Sequence, residues 1–194
     1  ITAGKPDMVA LLIELGAKRL GLVHELVPGA ARFAVLVDPN SPATEPLIKD
    51  VQAAASAIGR QIEVLTATTS REIDAAFASL VPKRVNALVL TPGSLFNNRR
   101  VQLATLAVRH AVPTIYSSRE FAEAGGLMSY GPSVMEEFRQ AGIYTARVLK
   151  GEKPADLPIL RATKFEFVIN LQTARMLGLE IPPTLLARAD EVIE

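Results

Sequence analysis

Ala87-Leu88-Val89-Leu90-Thr91-Pro92-Gly93-Ser94-Leu95-Phe96, the helical stretch Asn97 to His110 and the run Val112-Pro113-Thr114-Ile115-Tyr116 together decide the fold. Four consecutive apolar residues suit a strand covered on both faces, and Pro92-Gly93 ends it in a loop. The helix that follows is long enough to return the chain across the sheet, so the next apolar run forms a parallel neighbour through a right-handed crossover.

Upstream, the same unit recurs. A first helix is expected over roughly Lys5 to Leu26, a turn at Pro28-Gly29, and a strand at Phe33-Ala34-Val35-Leu36-Val37 broken by Asp38-Pro39-Asn40-Ser41-Pro42. Glu45 to Ile58 reads as a helix stopped by Gly59, and Ile62 to Leu65 as a strand. Thr69 with Glu72 makes a capping box for a helix to about Leu80. Downstream, a short helix from near Ser118 ends at Gly125-Gly126, and a strand follows at Leu127 to Tyr130. Pro132-Ser133 opens a helix from Val134 to Leu149, whose Val134, Phe138, Ile143, Ala146 and Leu149 lie near one stripe. Beyond Gly151, Pro154 and Pro158 favour extended backbone and mark a domain crossing. Phe165 to Ile169 is a sixth strand, and Leu171 to Leu177 and Pro183 to Ala187 are two short helices. The expected architecture is α/β, a doubly wound parallel sheet with helices on both faces.

Bulk properties narrow the function. With 194 residues, 49% hydrophobic and 21% charged, the composition is that of a folded globular protein. A net charge of +1 creates no field that gathers nucleic acid or anionic membrane, so no nucleic-acid partner is expected. The absence of Cys excludes thiol nucleophiles, thiolate metal sites and disulfides. The apolar run from Met8 to Leu15 contains Glu14 and falls far short of the roughly 20 residues of a membrane span. No basic leader with a small-residue cleavage site opens the chain, so export would rest on a leader outside it.

In an open parallel sheet, ligands bind beyond the carboxyl ends of the strands. Four loops there carry the polar and aromatic residues that the strands lack. They hold Asp38, Asn40, Ser41 and Thr44; Thr66, Thr68, Thr69 and Ser70; Thr91, Ser94, Phe96, Asn97 and Arg99; and Tyr116, Ser117, Ser118, Arg119 and Glu120. Such residues build the wall of a polar cleft, yet Asn40, Ser41, Thr69 and Ser70 equally serve as helix caps. Phe96 and Tyr116 either stack on a ligand or close the core. Arg119 offers a bidentate carboxylate binder, or a surface ion pair with Glu120. Catalytic signatures fail together. His24 and His110 lack metal partners at helical spacing, Pro92-Gly93-Ser94 is no nucleophile elbow, and no phosphate-binding glycine loop follows a strand. No enzyme activity, cofactor or metal is expected.

Several further stretches carry a resemblance: Leu15-Gly16-Ala17-Lys18-Arg19-Leu20 with Glu25-Leu26-Val27-Pro28, Ala34-Val35-Leu36-Val37-Asp38-Pro39-Asn40, Arg109-His110-Ala111-Val112-Pro113, Ser118-Arg119-Glu120-Phe121, Gly125 to Gly131, Leu149 to Pro158, and Lys164-Phe165-Glu166-Phe167-Val168-Ile169-Asn170 through Ile193. Over about residues 14 to 194 the chain resembles the solute-binding proteins of ABC importers, in the family that includes members taking aromatic amino acids such as tryptophan. The resemblance implies a type I periplasmic-binding-protein-like fold of two α/β lobes closing on a solute. On that plan residues 1–118 form the second lobe, 124–158 return to the first, and 164–194 make the final crossover. Most of the first lobe would then lie outside the chain, and residues 1–12 depart from the family pattern. Ligand contacts are implied at Asn40, Ser41, Ser94, Phe96, Tyr116, Arg119 and Tyr130. Phe96, Tyr116 and Arg119 suggest an aromatic or carboxylate-bearing solute.

The implied role is periplasmic and non-catalytic: capture of a small-molecule solute in an inter-lobe cleft and delivery to an ABC permease in the membrane. The competing readings are a ligand-sensing module of a transcription regulator, and a small flavodoxin-like enzyme using Asp38 and the Ser94 loop. The strand at Leu127 to Tyr130 and the helix after it would lack their usual lobe partners, so a homodimer or swapped dimer is expected.

Overall fold

Apolar runs bounded by Pro, Gly and Asn become the strands of one seven-stranded sheet in a computed structural model that describes residues 8–158 and 164–194. Its strands are β1 (Arg32–Val37), β2 (Gln61–Thr66), β3 (Ala87–Leu90), β4 (Thr114–Tyr116), β5 (Met128–Pro132), β6 (Phe165–Asn170) and β7 (Glu191–Ile193). The order is β2-β1-β3-β4-β5-β6-β7, and neighbours are parallel except β5 with β6. The helices are α1 (Met8–Leu26), α2 (Thr44–Ala57), α3 (Ser70–Leu80), α4 (Ser94–Asn98), α5 (Arg100–Arg109), α6 (Arg119–Glu123), α7 (Val134–Leu149), α8 (Leu171–Met176) and α9 (Pro183–Leu186). The expected doubly wound architecture is present. Residues 1–7, among them the first three of the expected opening helix, and residues 159–163 of the expected domain crossing lie outside the described residues.

Strand periodicity divides the core in two. Phe33, Val35 and Val37 of β1 join Ala87 and Val89 of β3 beneath α1 and α2, with Ile115, Met128 and Phe167 in the same layer. Ala34, Leu36, Leu88 and Leu90 face the other way, against Phe77 of α3, Phe96 of α4, Leu103 of α5 and Phe121 of α6. Both faces of the central strands are therefore dry, which is why those strands read as unbroken apolar runs. The capping box at α3 forms with a shift: Thr69 Oγ1 accepts from Glu72 N at 3.2 Å, while the Glu72 carboxylate turns back to Thr68 N and Oγ1.

Three expectations need correction. The strand placed with the returning segment 124–158 is hydrogen-bonded into this sheet, with Ile115 opposite Met128 on one side and Tyr130 opposite Phe167 on the other. Its backbone groups find partners on both edges, so it has no unpaired edge to swap. The loop expected through Phe96 is helical from Ser94, and the helix breaks at Arg99 before α5 resumes. A last strand, β7, closes the far edge; only three residues long, it carries too little periodicity to read from sequence. By contrast, α7 forms over Val134–Leu149 with Ser133 as its cap, and it buries none of its residues.

Candidate functional site

Strand order reverses between β1 and β3, since β1 has β2 on one side and β3 on the other. Crossover helices leave in opposite directions there, and a crevice opens beyond the strand ends. A cavity of about 270 Å³ occupies this position, lined by Ser41, Thr44, Thr91, Gly93, Ser94 and Asn97 among others. Its lining sets the hydroxyls of Ser41, Thr44, Thr91 and Ser94 and the Asn97 amide beside apolar Ala43, Leu47 and Pro92, with no ionised side chain.

Local chemistry builds each wall. Asp38 Oδ1 accepts from Asn40 N at 2.9 Å, turning the chain just after β1. Thr44 Oγ1 donates to the Asp38 carbonyl at 2.5 Å and Ser41 Oγ accepts from Ala43 N at 3.4 Å, so the loop enters α2 with its hydroxyls beside the crevice. On the opposite wall Thr91 Oγ1 donates to the Leu36 carbonyl at 3.0 Å, pinning the β3 exit to β1. Gly93 lies over Phe96, whose ring would come within 3.1 Å of an added Cβ, so the floor stays low only without a side chain at that position.

A larger cavity, about 580 Å³, lies among Arg32, Gln52, Ser56, Arg60 and Gln61. It sits at the opposite, amino-terminal end of β1 and β2, and its arginines are engaged with protein carbonyls: Arg32 Nη1 donates to Lys83 O and Arg60 Nη2 to Pro28 O. Position in the sheet favours the smaller crevice as the site.

Of the expected contacts, the structure brings Ser41 and Ser94 together across the crevice. Asn40 is exposed at the adjoining loop and does not line it. Phe96 and Tyr116 are corrections, because both side chains are fully enclosed. Tyr116 stacks on Phe121, ring centroids 4.9 Å apart, and burial pushes its hydroxyl well above the ordinary phenol range. Arg119 is a correction too. Its guanidinium pairs with Glu123 at 2.9 Å, Glu191 at 2.9 Å and Glu166 at 3.5 Å, none of them Glu120, and it does not line the crevice. Tyr130 is half-buried against Phe165 and Phe167, away from the crevice lining. Sequence reading placed Thr44, Thr91 and Asn97 in the loops of the cleft wall without naming them as ligand contacts. Only the pairing of β1 with β3 sets their two loops side by side.

Among the described residues no group of three or more His, Asp or Glu side chains gathers as metal ligands would, and no helix is long and apolar enough to cross a membrane.

The profile of the ABC transporter substrate binding protein family matches residues 13–193. The chain belongs to that family. Its members are substrate-binding proteins of ABC transporters and not enzymes. A tyrosine-binding protein of Clostridioides difficile is 23% identical over 163 residues, 84% of this chain and 47% of that protein. The fold is that of a conserved domain protein from Vibrio cholerae, with a TM-score of 0.81 at 21% identity over 91% of this chain and 60% of the other. It is equally that of an ABC domain from Streptococcus pneumoniae in complex with L-Trp, with a TM-score of 0.80 at 23% identity over 92% and 62%. These are type I periplasmic-binding-protein-like folds. The chain spans about half the length of the curated relative and about three fifths of these structures.

Proposed function

We propose that the chain captures a small solute for an ABC import system, in a cleft between this domain and a second lobe. The observation that carries the reading is the polar crevice at the β1/β3 switch point, in a fold shared with a domain that holds L-Trp. On this reading residues up to 118 and from 164 build the solute-binding face, and the chain departs toward the other lobe after β5 and returns before β6. Closure on the solute is driven by its contacts with both lobes, and the closed form docks on a membrane permease. The setting is periplasmic.

An aromatic amino acid or related carboxylate is the solute class, on the strength of the tyrosine- and tryptophan-binding relatives. The crevice hydroxyls and the Asn97 amide suit the polar ends of such a molecule, whereas Phe96 and Tyr116 are enclosed in the core. Calorimetric titration of the full two-lobed protein with tryptophan, tyrosine, benzoate and glucose tests the reading. Heat from the aromatic acids, reduced in Asn97→Ala, is expected; heat from glucose alone would overturn it.

A further inference from the structure

We infer that Glu166 is the positioning residue that sets the angle at which the α7 segment leaves the sheet. The chain reaches α7 through Pro132–Ser133 and returns through Lys164–Phe165, residues that lie side by side at the end of the β5–β6 ladder. Apolar packing does not orient α7, because none of its residues is buried and Met135 and Phe138 are each 71% exposed. Polar contacts at the crossing must do it.

The strand is tightly held up to Gly131. Arg19 Nε donates to the Tyr130 carbonyl at 2.7 Å, and Gly131 packs so closely on the Ser117 carbonyl that an added Cβ would lie 1.8 Å from it. Pro132 ends the ladder opposite Phe165, and just beyond it Ser133 is caught twice. Its N–H donates to Lys164 O at 3.0 Å and its hydroxyl donates to Glu166 Oε1 at 2.5 Å. The same oxygen accepts from Glu136 N, so the first turn of α7 is tied through one hydroxyl to a carboxylate on β6. That carboxylate is paired in turn with Arg119, itself clamped by Glu123 of α6 and Glu191 of β7. Ser133 is 2% exposed and the Glu166 side chain 11%, a shielded setting in which such bonds hold direction well. Glu166 therefore joins the sheet to a helix that buries none of its own residues. In the carrier proposed above this sets the resting angle between lobes; the placement of Glu166 does not depend on that reading.

The chain has no cysteine, so introduced pairs label cleanly. Spin labels at Lys49→Cys on α2 and Thr145→Cys on α7, diluted into unlabelled chain and read by pulsed electron resonance, report the angle without any solute. A single narrow distance is expected in the labelled parent and in Glu191→Ala, which removes one Arg119 partner but leaves Ser133 bonded. Loss of that narrow distance is expected in Glu166→Ala. It is also expected in Ser133→Asp, which keeps a helix-capping oxygen yet sets one carboxylate against another. Circular dichroism checks folding, and if Glu166→Ala unfolds, Ser133→Asp decides. A narrow distance surviving in the folded variants, or equal broadening in Glu191→Ala, would overturn the assignment.

Discussion

Arg19 donates through Nε to the carbonyl of Tyr130 at 2.7 Å, 111 residues away, from a side chain only 1% exposed. Its two terminal amino groups have no acceptor among the described residues. Burial pushes its pKa down to about 10, with the partial charge at Tyr130 opposing, and that depression corresponds to a penalty of about 3 kcal/mol at neutral pH. One hydrogen bond recovers about 1–2 kcal/mol of it. Arg19→Met is therefore expected to stabilise the chain by about 1–2 kcal/mol in urea unfolding. The penalty shrinks as pH rises from about 10 toward 12.5, because the unfolded chain then binds the extra proton. A destabilised Arg19→Met would mean that the guanidinium has acceptors of its own.

Gly131→Ala is expected to abolish the folded state or cost it several kcal/mol. The new Cβ would meet the Ser117 backbone oxygen at 1.8 Å, and that oxygen cannot withdraw without breaking the sheet next to β4. Gly142→Ala is the contrast. It sits within α7 with nothing among the described residues within 4 Å of its Cβ position, so helix propensity raises stability by about 0.5–1 kcal/mol. Thermal unfolding of the two variants gives opposite shifts.

Core and crevice should separate cleanly in mutants. Phe96→Ala is expected to lose about 3–5 kcal/mol of stability, as for other enclosed aromatics. Tyr116→Phe removes a buried hydroxyl that lacks a hydrogen-bond partner among the described residues and leaves stability equal or about 1 kcal/mol higher, with solute affinity unchanged. Asn97→Ala and Ser94→Ala act the other way, leaving stability intact while weakening solute binding about ten-fold, as loss of one good polar contact does. Paired denaturation and calorimetry on the same samples check this.

Glu25 holds α9 against α1 by accepting from Thr184 Oγ1 at 2.7 Å and from Arg188. The Thr184 hydroxyl and the Arg188 guanidinium lower its pKa below the ordinary glutamate value of 4.5. A depressed carboxylate contributes fully above 4.5, and its contribution fades as pH falls through the lowered value. Protection factors over residues 183–189, with exchange corrected for its intrinsic pH dependence, are expected to fall below that point in the parent. In Glu25→Gln they should be lower at pH 7 and nearly independent of acid.

Self-association of the 194-residue chain through α7 is the expected fate of its uncovered face, where Met135, Phe138 and Leu149 are 71%, 71% and 82% exposed. The paired β5 leaves the helix alone to make that contact. Light scattering should give a mass rising with concentration, reduced to one chain by Phe138→Glu. A single-chain mass throughout in the parent would refute it.

Periodicity, breakers and caps are short-range properties, so the strands from Phe33 to Ile169, the helix Val134–Leu149 and its Ser133 cap were legible from neighbouring residues alone. The family was legible for the same reason, through motifs that run in order along the chain. What the chain alone determined is thus an α/β sheet, its central strands and the loops able to hold a site. Which aromatic faces solvent, which arginine is already spoken for and which strand pairs with which depend on contacts tens of residues apart. Phe96 and Tyr116 end a strand or begin a helix in either reading, but only packing against Leu103 and Phe121 turns them inward. Arg119 stands beside Glu120 in sequence, yet the fold gives it Glu123, Glu166 and Glu191, because β6 and β7 arrive next to α6 only in three dimensions.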